Sequence, residues 1–131
     1  MTNSPDVTFP EATAQARQLL EQGRKAEAAE IFRGMPKLYT SGKFVLAEAA
    51  DGLLKCGFWS EAVELFNVGL ARHPLSPYLL GGLAEAFAEK KDYPRAVTYL
   101  ERNVANDPSP TNLIGLGVMQ SMAEDLSLIH I

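Results

Sequence analysis

Imidazole or thiol chemistry in this chain, whether proton transfer, nucleophilic attack or metal ligation, would have to pass through His73, His130 and Cys56, the only imidazoles and the only thiol in 131 residues. None of the three has neighbours that support such chemistry. His73 is followed directly by Pro74, where a helix ends and a cation suits the helix dipole. Cys56 lies between Leu54 and Gly57-Phe58 with no histidine close by to draw off its proton, so it reads as a small packing residue. No Gly-x-Gly-x-x-Gly follows a strand-like stretch, no phosphate-cradling loop is present, and no Ser, His and Asp form a set. The expectation is a non-enzyme with no catalytic residue, no metal site and no cofactor.

Charge and composition narrow the remaining classes. Twelve basic against sixteen acidic residues give a net charge of −4, which argues against nucleic acid as a partner. Seventeen Ala and seventeen Leu set against seventeen Val, Ile and Thr combined favour helices over a sheet. With 47% hydrophobic and 21% charged residues the chain is globular, and its length suits one domain that needs no staple. A lone cysteine excludes an internal disulfide. No stretch approaches the roughly eighteen apolar residues that span a bilayer. The start, Met1-Thr-Asn-Ser-Pro-Asp, carries no basic-then-apolar leader. A cytoplasmic protein without a membrane partner is expected.

The elements that position the remaining side chains are written as a repeat. Trp59 and Tyr93 stand 34 residues apart, as do Ala62 and Ala96, Phe66 and Leu100, and Pro74 and Pro108. The same step backwards takes Ala62 to Ala28, Phe66 to Phe32 and Gly57 to Gly23. Upstream, Phe44/Tyr78, Leu46/Leu80 and Leu53/Phe87 keep the interval. Ser76-Pro77 and Ser109-Pro110 read as an N-cap followed by Pro at the first helical position. Thr8 and Glu11 have capping-box spacing. Helices are predicted at about 9–21, 26–34, 43–56, 60–71, 77–90, 94–106 and 110–124, with Gly34-Met35-Pro36 cutting the second one short.

This period, with its paired helices, resembles the tetratricopeptide repeat. The third unit, Pro77 to Pro108, carries Leu80, Leu83-Ala84, Phe87, Tyr93, Ala96, Leu100 and Pro108 at the family's places. The second, Lys43 to Pro74, carries Leu46, Ala49-Ala50, Leu53, Trp59, Ala62, Phe66 and Pro74. The first is degenerate, with Lys25 in place of the turn aromatic. A fourth unit begins at Pro110 and stops at its turn. The resemblance implies an all-α, right-handed α-solenoid of about three and a half helix–turn–helix units. These are about 9–42, 43–76, 77–109 and 110–125, behind a disordered segment 1–8. Leu126-Ser-Leu-Ile-His-Ile131 is similar to a translated sequencing-library adaptor, so 126–131 is expected to be a non-native tail on a fragment whose natural chain continues past Asp125.

The family's geometry also implies where a partner would sit. The concave face should carry Thr13, Arg17, Glu21, Phe44, Glu48, Asp51, Lys55, Tyr78, Glu85 and Glu89, of which Arg17, Phe44, Glu48, Asp51, Tyr78, Glu85 and Glu89 are the candidate partner-binding residues. Phe44 and Tyr78 would form an aromatic ladder in an acidic groove relieved by Lys55. The family's clamp for a ligand's C-terminal carboxylate falls on Thr13, Arg17, Glu48, Tyr78 and Gly82, where only Arg17 is positive, so that mode is not expected. The resemblance therefore implies a scaffold or adaptor taking a basic or apolar peptide or helix, or else an N-terminal array guiding substrate to a transferase-like enzyme beyond Asp125. Weak self-association through the last helix is a further expectation. Gly81-Gly82, inside a concave-facing helix, implies close approach of a neighbouring helix or of a ligand.

Overall fold

The computed structural model describes residues 7–39 and 42–129, with side chains through Asp125. Among the described residues the secondary structure is entirely helical. The elements are α1 (Phe9–Glu21), α2 (Lys25–Leu38), α3 (Lys43–Lys55), α4 (Trp59–Arg72), α5 (Pro77–Glu89), α6 (Tyr93–Asn106) and α7 (Pro110–Ile129). They pack as antiparallel hairpins α1/α2, α3/α4 and α5/α6, stacked through α2/α3, α4/α5 and α6/α7. This is a helical-hairpin solenoid, as the 34-residue step predicts.

The helix starts follow the capping signals. Thr8 and Glu11 complete a reciprocal capping box at α1. The Ser76 hydroxyl accepts from Leu79 N–H at α5, and Ser109 accepts from Asn112 N–H at α7. Thr8 therefore belongs to the fold, and so does Val7, whose carbonyl accepts the Tyr39 hydroxyl at 2.9 Å. The expected disordered segment 1–8 loses these two residues, and 1–6 lie outside the described residues. At the other end α7 runs on to Ile129, while side chains from 126 onward and residues 130–131 lie outside the described residues.

Each hairpin turns through the same backbone device. The N–H of residue 23 bonds the Leu20 carbonyl and that of Arg24 bonds Leu19; residues 57/58 and 91/92 repeat the pattern at intervals of 34. This closure needs one left-handed residue. Gly23 (φ 77°) and Gly57 (φ 94°) fill it without strain, whereas the third turn puts Lys91 there at φ 60°.

One expectation fails at α2. Pro36 lies inside the helix, which continues to Leu38. Proline there loses its own N–H bond to the carbonyl four residues back and crowds that carbonyl, a cost that other contacts can offset. Met35 is fully buried and its carbonyl accepts Tyr39 N–H, while the Tyr39 ring meets Phe9 edge-on at 5.6 Å. Those contacts hold the last turn in place.

The core runs along the seam between the helix layers. Ala28, Ala62 and Ala96 are completely buried at the three hairpin crossings. Between the first three units, an aromatic on the second helix lies on a glycine of the following first helix. A Cβ at Gly52 would fall 2.3 Å from the Phe32 ring, and one at Gly82 the same distance from Phe66. Leu100 stands at the equivalent place in the third unit, is only half-buried, and borders a gap of about 250 Å³ beside Gly115 and Met119. Trp59 joins units two and three by donating its indole N–H to the Ala86 carbonyl at 2.7 Å. That carbonyl is free because Lys90 N–H closes on Phe87 instead.

Candidate functional site

The first helices place the candidate side chains along one face, and α3 and α5 bring most of them around a cleft of about 510 Å³. Phe44 and Tyr78 lie at its mouth with ring centroids 5.1 Å apart and planes tilted by 58°. They remain 56% and 58% exposed, a large apolar surface to leave in water. Phe66 and Gly82 form the floor, with Glu48, Asp51 and Glu85 on the rim. Lys43 sits over the Phe44 ring, its Nζ 5.4 Å from the centroid.

The acids do not act as one block. Arg17 reaches across from α1 and pairs with Glu48, its Nε donating at 3.2 Å and Nη2 closer still. Lys55 pairs with Asp51 one turn back. Burial would lower the Lys55 pKa, but the Asp51 bond and charge, aided by Glu85, more than offset this and leave it raised. The groove is thus less acidic than its residue types suggest. Glu85 and Glu89 have no salt-bridge partner among the described residues. Loss of hydration is the main reason the Glu85 carboxyl is held above its ordinary range; Asp51 and then Glu89 add to the effect while Lys55 opposes it.

The paired glycines divide in role. Gly82 is a packing residue under Phe66, whereas a Cβ at Gly81 would meet nothing within 4 Å. Thr13, one of the carboxylate-clamp positions, has its hydroxyl buried without a partner among the described residues. Arg17, the one cation at those positions, is committed to Glu48. Cys56 caps α3, is 5% exposed, and has its thiol pKa raised by burial against the partial pull of Lys25 and Arg33, as suits a packing residue. Among the described residues no group of three His, Cys, Asp or Glu is placed to hold a metal, and no helix is long and apolar enough to cross a membrane.

A second cleft, of about 690 Å³, went unread in the sequence. It opens between the second helices α2 and α4, with Pro36, Leu65, Val68 and Ala71 among its walls, Leu53 beneath and the Arg33–Glu61 pair at its edge. Taking Pro36 as a helix stop removed the turn that forms one wall. The signal that could have found it is the apolar spacing Leu65, Val68 and Ala71 on the outer side of α4.

The tetratricopeptide-repeat family model matches residues 47–109. No curated protein matches the sequence significantly. Among solved structures, the Yersinia enterocolitica type III secretion chaperone SycD, in complex with a peptide of the translocator YopD, is similar at 17% identity and TM-score 0.69, covering 98% of each chain. PcrH from Pseudomonas aeruginosa is similar at 15% identity and TM-score 0.67, covering 94% of each. The first TPR of Spaghetti (RPAP3), bound to the HSP90 peptide SRMEEVD, has 11% identity and TM-score 0.71, covering 97% of this chain and 99% of that one.

Proposed function

We propose that this chain, a tetratricopeptide-repeat protein, is a non-catalytic scaffold that binds a partner peptide or helix in the cleft between α3 and α5. The observation that carries the reading is the Phe44–Tyr78 pair, two rings in mutual contact and more than half exposed at the mouth of a formed cleft. Exposed aromatics beside a cavity are the usual anchors of a protein interface. SycD and the RPAP3 domain were each solved with a peptide bound, which supports a peptide as guest. An acidic guest such as SRMEEVD fits poorly here, because Arg17 is held by Glu48 while Glu85 and Glu89 have no salt-bridge partner among the described residues. A basic or apolar guest suits the rim better.

The test is a random peptide library screened against the protein, with the bound site mapped by NMR chemical shifts. Tyr78→Ala is expected to weaken binding generally, by about 2 kcal/mol if the ring is a true anchor. Glu85→Lys with Glu89→Lys is expected to turn preference away from basic peptides and leave the Arg17–Glu48 pair intact. Shifts confined to the α2/α4 cleft, or binding indifferent to all three changes, would overturn the reading.

A further inference from the structure

Gly81 is unexplained by the fold. Glycine inside a helix is less stable than alanine, and its neighbour Gly82 has a reason, since any side chain there would strike Phe66. At Gly81 the space is empty, and Gly81 and Glu85 line both the cleft and the smaller gap beside α7. Tyr78, Gly81 and Glu85 follow one another at i, i+3 and i+7 on one face of α5. The missing side chain therefore opens a slot with an aromatic ring at one end and a carboxylate at the other. Asp51 and Glu89 deepen the negative potential at Glu85, and Lys55, the cation that opposes it there, is bonded to Asp51.

We propose that this slot takes one arginine side chain of the partner, its methylene stem running over the Tyr78 ring and Gly81 and its guanidinium forked onto Glu85. The inference rests on the cleft reading above and makes Gly81 the residue that sets specificity. A planar guanidinium can fork onto a carboxylate through two parallel bonds, which an ammonium cannot. An apolar side chain would fill the slot but leave Glu85 without a counter-charge.

The probe is a heptapeptide library with arginine fixed at the centre, compared with the same library carrying citrulline, which keeps the shape and removes the charge. Arginine is expected to bind at least tenfold more tightly. Gly81→Leu should weaken the arginine library at least tenfold while the melting temperature stays level or rises, because leucine is the better helix former. Gly81→Ala should weaken binding by less and raise the melting temperature at least as much, because alanine is the best helix former. Gly117→Ala, at another open helical glycine away from the cleft, should raise the melting temperature and leave binding unchanged. A structural role for Gly81 would instead lower the melting temperature in both variants, and that result overturns the inference. Equal binding of the two libraries also overturns it, and if Tyr78→Ala still weakens both, the cleft reading survives. Failure of both libraries to bind anywhere in the cleft overturns both.

Discussion

Arg33 on α2 grips Glu61 on α4 through two bonds, Nε to Oε2 at 2.7 Å and Nη2 to Oε1 at 2.9 Å. Its remaining nitrogen turns back to Glu30, and its guanidinium carbon lies 5.1 Å from the centre of the Phe58 ring. The pair bridges the second helices of adjacent units across the edge of the outer cleft. The Arg33 bond is the main reason the Glu61 carboxyl lies below its usual range. A carboxyl depressed in the folded state favours folding above its unfolded pKa, and the contribution disappears as pH falls through the folded value. Glu61→Gln should therefore lower the melting temperature slightly at pH 7, with the difference disappearing in acid once the folded carboxyl is protonated. Identical melting curves at every pH would show the pair to be fully screened by water.

Glu85 has the opposite sign. Its folded pKa is raised, so the ionised carboxylate disfavours the native state at neutral pH, and the penalty vanishes below the unfolded pKa. Glu85→Gln should raise the melting temperature at pH 7, with the gain fading toward about pH 4. The same change should weaken arginine-containing peptides. A variant that loses stability and binding together would count against a functional role for this acid.

Lys91 occupies a backbone position that glycine fills in the other two hairpin turns. Lys91→Gly should stabilise the protein by up to about 1 kcal/mol, less whatever glycine adds to the entropy of the unfolded chain. Gly57→Ala should destabilise by a similar amount. Urea titration of both variants checks the pair of signs.

Leu113, Ile114, Val118 and Met122 leave α7 between 40% and 68% exposed at apolar positions. Leu113 corresponds to Leu80, which is completely buried. Ile114, Val118 and Met122, at i, i+4 and i+8, share one face, which should drive self-association at high concentration. Ile114→Glu with Val118→Lys is expected to shift sedimentation toward the monomer and leave helicity unchanged. Unaltered sedimentation would place any association elsewhere.

Period and small-residue spacing made the hairpins legible, because Ala28, Ala62 and Ala96 report a geometric need that composition cannot hide. The Phe44–Tyr78 contact was legible too, since an aromatic every 34 residues on first helices must land on one face. What could not be read was which charges cancel. Arg17 and Glu48 are 31 residues apart, and only the packed distance between α1 and α3 joins them. Pro36 misled because proline's effect depends on whether tertiary contacts, here Met35 and Tyr39, hold the turn beyond it. Gly81 and Gly82 were indistinguishable until the Phe66 ring appeared under one of them.

The ring-on-glycine contacts between units also bear on how the array comes apart. Phe32 on Gly52 and Phe66 on Gly82 leave no slack at the first two junctions, so opening one hairpin exposes the ring lodged in the next. The third junction has a half-buried Leu100 and a gap instead. Amide exchange should reflect this asymmetry: α1 to α6 protected by one shared opening event, and α7 exchanging earlier through a local event of its own. A leucine-to-phenylalanine change at position 100 that slowed α7 exchange toward the rate of its neighbours would extend that shared event by one helix.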